Sequence, residues 1–110
     1  MEITLNHTII HSKNRVESAK WYSEIFGFEF IKEWGPFAVV KVNSTLSLDF
    51  INKTEDFPSM HYAFKVSDSD FDMILGRLKK EDINYNSSPI SIKNNTYDFM
   101  VSSVTSTANI

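Results

Sequence analysis

The feature that most constrains the fold is an internal repeat: the same order of predicted strands and helices starts a second time within the 110 residues. The first copy reads as strand, helix and three strands, and the second reads as strand, helix and strand. A polar segment that contains Pro58 separates the copies, as is typical of a linker. We therefore predict a single domain, 1–110, with a first module at about 3–52 and a second module at about 60–110.

The helix of each copy is predicted from its caps and its apolar spacing. Asn14 and Glu17 have the spacing of a capping box, and Gly27 is a typical helix end, which indicates a helix over 15–26. In the second copy, Ser69 is a candidate cap for a helix over about 70–80. Its apolar stripe has helical spacing and consists of Phe71, Ile74, Leu75 and Leu78.

The strands are predicted from alternating apolar and polar residues at 3–10, 28–34, 37–42, 46–51, 61–67 and 83–86. Short connections at Gly35-Pro36 and Asn43-Ser44 indicate antiparallel hairpins. Two βαβββ-type modules can bury both helices on one side of a curved mixed sheet and leave a cavity on the other. The predicted class is thus α+β, with the second module incomplete or altered, because the segment 90–110 is rich in Ser, Thr and Asn.

Three side chains in these strands are candidate metal ligands. His7 alternates with apolar residues in the first strand, and His61 begins the matching strand of the second copy. In a duplicated fold the first strands lie near the pseudo-twofold axis, which would bring these two imidazoles together. Asp49 is a carboxylate in the middle of a strand. The alternative for each histidine is a hydrogen-bonded core or surface residue, and for Asp49 a solvated strand residue.

The composition excludes several chemistries. The chain has no cysteine, so disulfides, thiolate zinc sites and a cysteine nucleophile are ruled out. A net charge of −3 gives no reason to expect a nucleic-acid partner. The sequence has neither a signal-peptide pattern nor an apolar run of membrane-spanning length, so we expect a cytoplasmic protein with no membrane partner.

Four motifs, taken in order along the chain, resemble the vicinal oxygen chelate superfamily. They are Leu5-Asn6-His7, Trp34-Gly35-Pro36-Phe37, Leu46-Ser47-Leu48-Asp49-Phe50 and His61-Tyr62-Ala63-Phe64. This superfamily includes glyoxalase I, bleomycin-resistance proteins, fosfomycin-resistance enzymes and extradiol dioxygenases. The resemblance covers about residues 3–89, and the C-terminal end is atypical or truncated.

The resemblance implies a divalent metal (Zn, Ni, Fe or Mn) that chelates two neighbouring oxygens of a small molecule. It assigns His7 and His61 as ligands, and Asp49 matches a position where some members place a Glu ligand. The glutamate of the last strand has no match, and Asp98 is the only carboxylate side chain of the tail. Trp34 and Phe37 flank a hairpin and are candidates for the lining of the substrate cavity, and the alternative for each is a core-packing residue.

Two functions follow from the resemblance. The first is a glyoxalase- or dioxygenase-like enzyme, that is, a metal-dependent lyase, isomerase, transferase or dioxygenase. The alternative is a metal-free, bleomycin-resistance-like protein that sequesters a small molecule and is inactive because the last-strand glutamate is missing. We also expect a homodimer, because an incomplete second module exposes a sheet edge that a second copy can cover.

Overall fold

The computed structural model describes residues 1–58 and 60–82, and the backbone of 85–86, 99–102 and 107–109. The chain forms two compact units, Met1–Pro58 and Ser59–Ile110. Each unit has the element order strand, helix and three strands. The repeated order and the α+β class are therefore confirmed.

The first unit consists of β1 (His7–Ser12), α1 (Arg15–Phe26), β2 (Glu29–Trp34), β3 (Phe37–Lys41) and β4 (Ser47–Asn52). Its strands form one mixed sheet in the order β1-β4-β3-β2. The pair β1 and β4 is parallel, and the other two pairs are antiparallel. The connection between β2 and β3 has only two residues, which requires an antiparallel pair, as predicted.

Helix α1 begins and ends where its caps predict. The side chain of Asn14 accepts a hydrogen bond of 3.1 Å from the backbone N–H of Glu17. At the other end, Gly27 has a left-handed backbone with φ of 76°, and its N–H donates to the Ser23 carbonyl at 2.8 Å. Glycine takes this conformation without the steric strain of a side chain, so it ends the helix.

The core of the first unit lies between α1 and one face of the sheet. The strand residues on this face alternate with exposed or half-buried ones, and the buried set is Ile10, Ala38, Val40, Leu48 and Phe50. Ala19 and Ile25 of α1 are buried too, and the Tyr22 ring stacks on the Phe50 ring with centroids 5.4 Å apart. Within the described part of this unit, α1 covers only this face of the sheet.

The second unit consists of β5 (Ala63–Lys65), α2 (Asp68–Lys80), β6 (Tyr85–Asn86), β7 (Phe99–Ser102) and β8 (Thr107–Asn109). Its sheet has the order β5-β8-β7-β6, the same order of neighbours as in the first unit. However, β6 and β7 are parallel, and β5 and β8 are antiparallel. The sequence between β6 and β7 spans 87–98, which is long enough for a parallel pair. The second module is thus altered in strand direction and incomplete in strand length.

Two predicted strands begin later than expected. The first begins at His7 and not at residue 3, because its partner β4 begins at Ser47, which pairs with His7. The strand of the second unit begins at Ala63, because its partner β8 has only three residues. His61 therefore precedes β5 and does not lie in a strand.

Helix α2 begins two residues before its predicted start. Its N-cap is Ser67 and not Ser69, because the Ser67 hydroxyl accepts the hydrogen bond of 3.2 Å from the backbone N–H of Asp70. Phe71, Ile74 and Leu78 are buried, as their spacing predicts. Neither helix in the described residues has the length and apolar character needed to span a membrane.

Candidate functional site

The face of the first sheet that α1 leaves uncovered is the candidate site, and we call it the open face. In β4, Leu48 and Phe50 are buried on the helix side, so Asp49 between them points to the open face. Asp49 is paired with Ile9 of β1 and with Val39 of β3. Ile9 is 47% exposed and Val39 is half-buried, so this row of side chains is accessible.

The neighbouring row of the open face begins with His7. His7 is paired with Ser47, and Ser47 is paired with Lys41 of β3. His7 and Asp49 thus lie on adjacent strands with an offset of two residues. Strand spacing and rise place their Cα atoms roughly 8 Å apart. At this separation an imidazole and a carboxylate can reach one point between them.

A β-bulge in the outermost strand, β2, determines which of its side chains lie on the open face. The register of β2 against β3 shifts between Phe30 and Lys32, so that Lys32 and Trp34 lie on the open face. Glu33 consequently points to the helix side, where its carboxylate forms an ion pair of 2.9 Å with Arg15 of α1. If β2 alternated regularly through Ile31, with no bulge, Trp34 would lie on the same side as Phe30 and face the helix.

The two aromatic residues proposed to line the cavity both lie on the open face. Trp34 is paired with Phe37, and their rings are stacked with centroids 6.5 Å apart and an interplanar angle of 11°. Trp34 is 63% exposed and Phe37 is half-buried. Phe37 is paired with Ile51, which places the stacked pair in the row next to Asp49. The pair offers a flat apolar surface beside the candidate ligands.

His7 is exposed, and one of its ring nitrogens is already engaged. Its Nδ1 lies within hydrogen-bonding distance, 2.7 Å, of the side-chain oxygen of Asn6. The backbone carbonyl of Asn6 in turn accepts a hydrogen bond of 2.9 Å from the Ser47 N–H. The other ring nitrogen, Nε2, is the atom of this side chain that can bind a metal when Nδ1 carries the proton.

Asp49 and His7 have the donor atoms that divalent metals use. Asp49 is half-buried, and no hydrogen bond or ion pair engages its carboxylate among the residues that the structure describes. Imidazole nitrogen and carboxylate oxygen suit Zn, Ni, Fe or Mn. Metal sites commonly use three or four protein ligands. The described residues contain no cluster of three His, Asp or Glu side chains that could hold a metal.

The remaining predicted ligands lie elsewhere. His61 is exposed, lies in the second unit and precedes β5 by two residues. Asp98, the other carboxylate considered, lies outside the described residues. The structure therefore brings His7 and Asp49 to one face of one sheet. Sequence reasoning missed Asn6, although it stands next to His7 in the first motif.

The first unit also contains a pocket of about 380 Å³ at the start of α1. It is lined by Ile10, His11, Ser12, Lys13, Asn14, Glu17, Ser18, Tyr22, Phe50 and Phe57. The Phe57 ring makes an edge contact with His11, with centroids 5.5 Å apart. The Lys13 ammonium donates to the carbonyls of Thr54 and Glu55 at 3.0 and 2.9 Å. Sequence reasoning missed this pocket, although Phe57 is an aromatic residue in the largely polar segment between the two modules.

The solved structures that share this fold include two oxidases. No family model matches the sequence, and no curated protein matches it. The oxidase ChaP-H2 has a TM-score of 0.79 and 32% identity, over 91% of this chain and 77% of that one. The oxidase ChaP-H1 has a TM-score of 0.79 and 33% identity, over 99% of this chain and 94% of that one. At this identity and coverage, the chain belongs to the family of the ChaP-H oxidases.

Proposed function

We propose that this chain is a dioxygenase-like oxidase of the vicinal oxygen chelate superfamily. Its substrate is a small organic molecule that binds a divalent metal through two adjacent oxygens. The observation that carries the proposal is the likeness in fold and sequence to two oxidases over nearly the whole chain. The open face also supports the proposal, because it is accessible and has the possible metal ligands His7 and Asp49 on adjacent strands.

In this proposal His7 and Asp49 hold the metal from the first unit. Their imidazole and carboxylate fit Zn, Ni, Fe or Mn, and the superfamily resemblance adds His61 as a further ligand. When bound, the ion acts as a Lewis acid that polarises the two substrate oxygens. The role of His61 rests on the resemblance alone, so it is tested by substitution.

The other residues of the open face bind and orient the substrate. Trp34 and Phe37 present a stacked apolar surface against which a planar molecule packs and excludes water. The Ile9 side chain extends this apolar surface beside Asp49. Lys41 and Lys32 lie on the same face, and their positive charges favour a substrate with deprotonated oxygens.

Metal analysis of the protein purified without chelator and without a His-tag tests the proposal. We expect bound metal in the native chain and a loss of at least half of it in His7→Ala, Asp49→Ala and His61→Ala. His11→Ala is the matched control, because His11 is a histidine of the same strand that is not proposed as a ligand. Trace metal that is equal in all five proteins would refute the metal site.

A metal-free binding protein is the second candidate. The observation that favours it is that three ligand side chains do not cluster among the described residues. Under this function, EDTA and His7→Ala leave the affinity for a planar dihydroxyaromatic probe unchanged, whereas Trp34→Ala lowers it. Under the oxidase function, EDTA and His7→Ala lower that affinity as well. Isothermal titration calorimetry with one probe, such as catechol, distinguishes the two.

A further inference from the structure

The pocket at the start of α1 lies on the opposite side of the first sheet from the open face. Ile10 of β1 and Phe50 of β4 line it, and both are buried on the helix side. Asp49 points the other way, because neighbouring residues of a strand face opposite sides of the sheet. The volume of about 380 Å³ is in the range of small-molecule pockets. A ligand in this pocket is therefore separate from any ligand of the open face.

Phe57 forms one wall of this pocket, and several contacts hold it there. Its ring makes an edge contact with the His11 ring, and the Lys13 ammonium lies 5.1 Å from its centroid. Lys13 also donates hydrogen bonds to two backbone carbonyls of the linker. The N–H of Lys53 donates to the Ser12 carbonyl at 2.8 Å. The wall is therefore in place before a ligand arrives, which lowers the entropic cost of binding.

The capping box of α1 is only half formed, and this leaves a carboxylate without a partner at the pocket. The Asn14 side chain accepts the N–H of Glu17 at 3.1 Å. In a complete box the glutamate side chain accepts the N–H of the cap residue in return. Here the Asn14 N–H donates to the Ser12 hydroxyl at 3.1 Å instead. Glu17 lines the pocket, and its carboxylate has no hydrogen bond or ion pair with any residue that the structure describes.

The donors around the pocket that could bind an anion are already engaged. The backbone N–H of Arg15 donates to the Asn52 side chain at 2.7 Å, and the N–H of Glu17 donates to Asn14. The Lys13 ammonium is directed at the linker carbonyls and the Phe57 ring. The charged group that remains available is the Glu17 carboxylate, which attracts a cation and repels an anion. Apolar rings beside one available carboxylate match a ligand with an aromatic body and a positive charge.

We propose that this pocket binds a small aromatic amine in its protonated form. The ring of the ligand packs against Phe57 and Tyr22, and its ammonium pairs with Glu17. Glu17 is exposed, so the ion pair contributes modestly and the ring contacts supply most of the affinity. The inference goes beyond the proposed oxidase function, because it concerns the other side of the sheet and needs no metal.

The experiment titrates the nitrogen-15-labelled chain with 2-phenylethylamine at about pH 7, where an alkyl amine is protonated, and follows the amide NMR signals. The matched probes are 2-phenylethanol, which is neutral, and phenylacetate, which is an anion. We expect the amine to bind about three- to fivefold more tightly than the alcohol, and phenylacetate to bind most weakly. The signals that shift should centre on Ser12 and Ser18, which line the pocket.

Three variants assign the contributions of the carboxylate and the ring. Glu17→Gln keeps the size of the side chain and should lower the affinity for the amine about three- to fivefold, to that for the alcohol. Glu24→Gln is the matched control, because Glu24 is an exposed glutamate of the same helix outside the pocket, and it should bind as the native chain does. Phe57→Ala should weaken the binding of amine and alcohol alike, because both probes use the ring contact.

Three results would each overturn the proposal. The first is that phenylacetate binds as tightly as the amine, and the second is that Glu17→Gln and Glu24→Gln bind the amine equally well. The third is that the shifts centre on the Trp34 indole N–H, which would place the probe on the open face. All titrations contain EDTA, so their outcome is independent of the metal site of the proposed function. Circular dichroism of each variant verifies that the fold is retained.

Discussion

Replacement of matched apolar residues on the two faces of the first sheet tests whether the open face is accessible in solution. Leu48 of β4 is 1% exposed on the helix side, whereas Ile9 of β1 is 47% exposed on the open face. Leu48→Ala and Ile9→Ala each remove three carbon atoms from neighbouring strands. The two variants therefore differ mainly in the burial of what is removed.

The expected losses of unfolding free energy follow from that burial. For Leu48→Ala, three buried carbons at about 0.8 kcal/mol each give about 2.4 kcal/mol. The cavity that remains between α1 and the sheet raises this to about 3–4 kcal/mol. For Ile9→Ala, nearly half of the side chain is already in water and no closed cavity forms, so we expect about 1 kcal/mol.

Urea unfolding followed by circular dichroism at 222 nm measures both values. The transition midpoint should fall by roughly three times as much in Leu48→Ala as in Ile9→Ala, with similar slopes. Equal losses in the two variants would refute the reasoning. That result would mean that Ile9 is buried in solution, so the open face would be covered and not accessible to a small molecule.

Three further predictions concern the helix caps and the association state. Asn14→Ala removes the acceptor for the Glu17 N–H and should lower the unfolding free energy by about 1 kcal/mol in urea, whereas Asn14→Asp keeps the cap and should have little effect. Gly27→Ala places a side chain at φ of 76° and should lower the melting temperature, with a cost of about 1 kcal/mol; a rise would contradict the left-handed end of α1. In the described residues β5 and β6 are the edges of the second sheet, and we predict that a second copy covers such an edge, so that the chain forms a homodimer in light scattering at micromolar concentration, which a strict monomer mass would refute.

Local chemistry explains which elements could be predicted from the sequence. Asn14 and Gly27 fixed both ends of α1, because a capping oxygen and a left-handed glycine act within one helical turn. Alternation in β4 explains why Leu48 and Phe50 share one face, which is buried, and why Asp49 lies on the other. These patterns depend only on residues close together in the chain.

Strand ends and strand directions could not be predicted in this way. β1 begins at His7 and β5 at Ala63 because their partner strands end there, and the partners are distant in sequence. The parallel pair β6 and β7 depends on the segment 87–98, whose length permits either direction. An alternating pattern has a period of two, so it does not distinguish one register from another that is shifted by two residues.

By itself, then, the sequence determined the repeated order of elements, the α+β class and the residues with ligand chemistry. Only the tertiary structure decided that His7 and Asp49 lie on one face of adjacent strands, and that Asn6 engages Nδ1 of His7. The physical reason is that a hydrogen-bonded register fixes which distant residues become neighbours. Alternation along a single strand tells only which side of the sheet each residue faces.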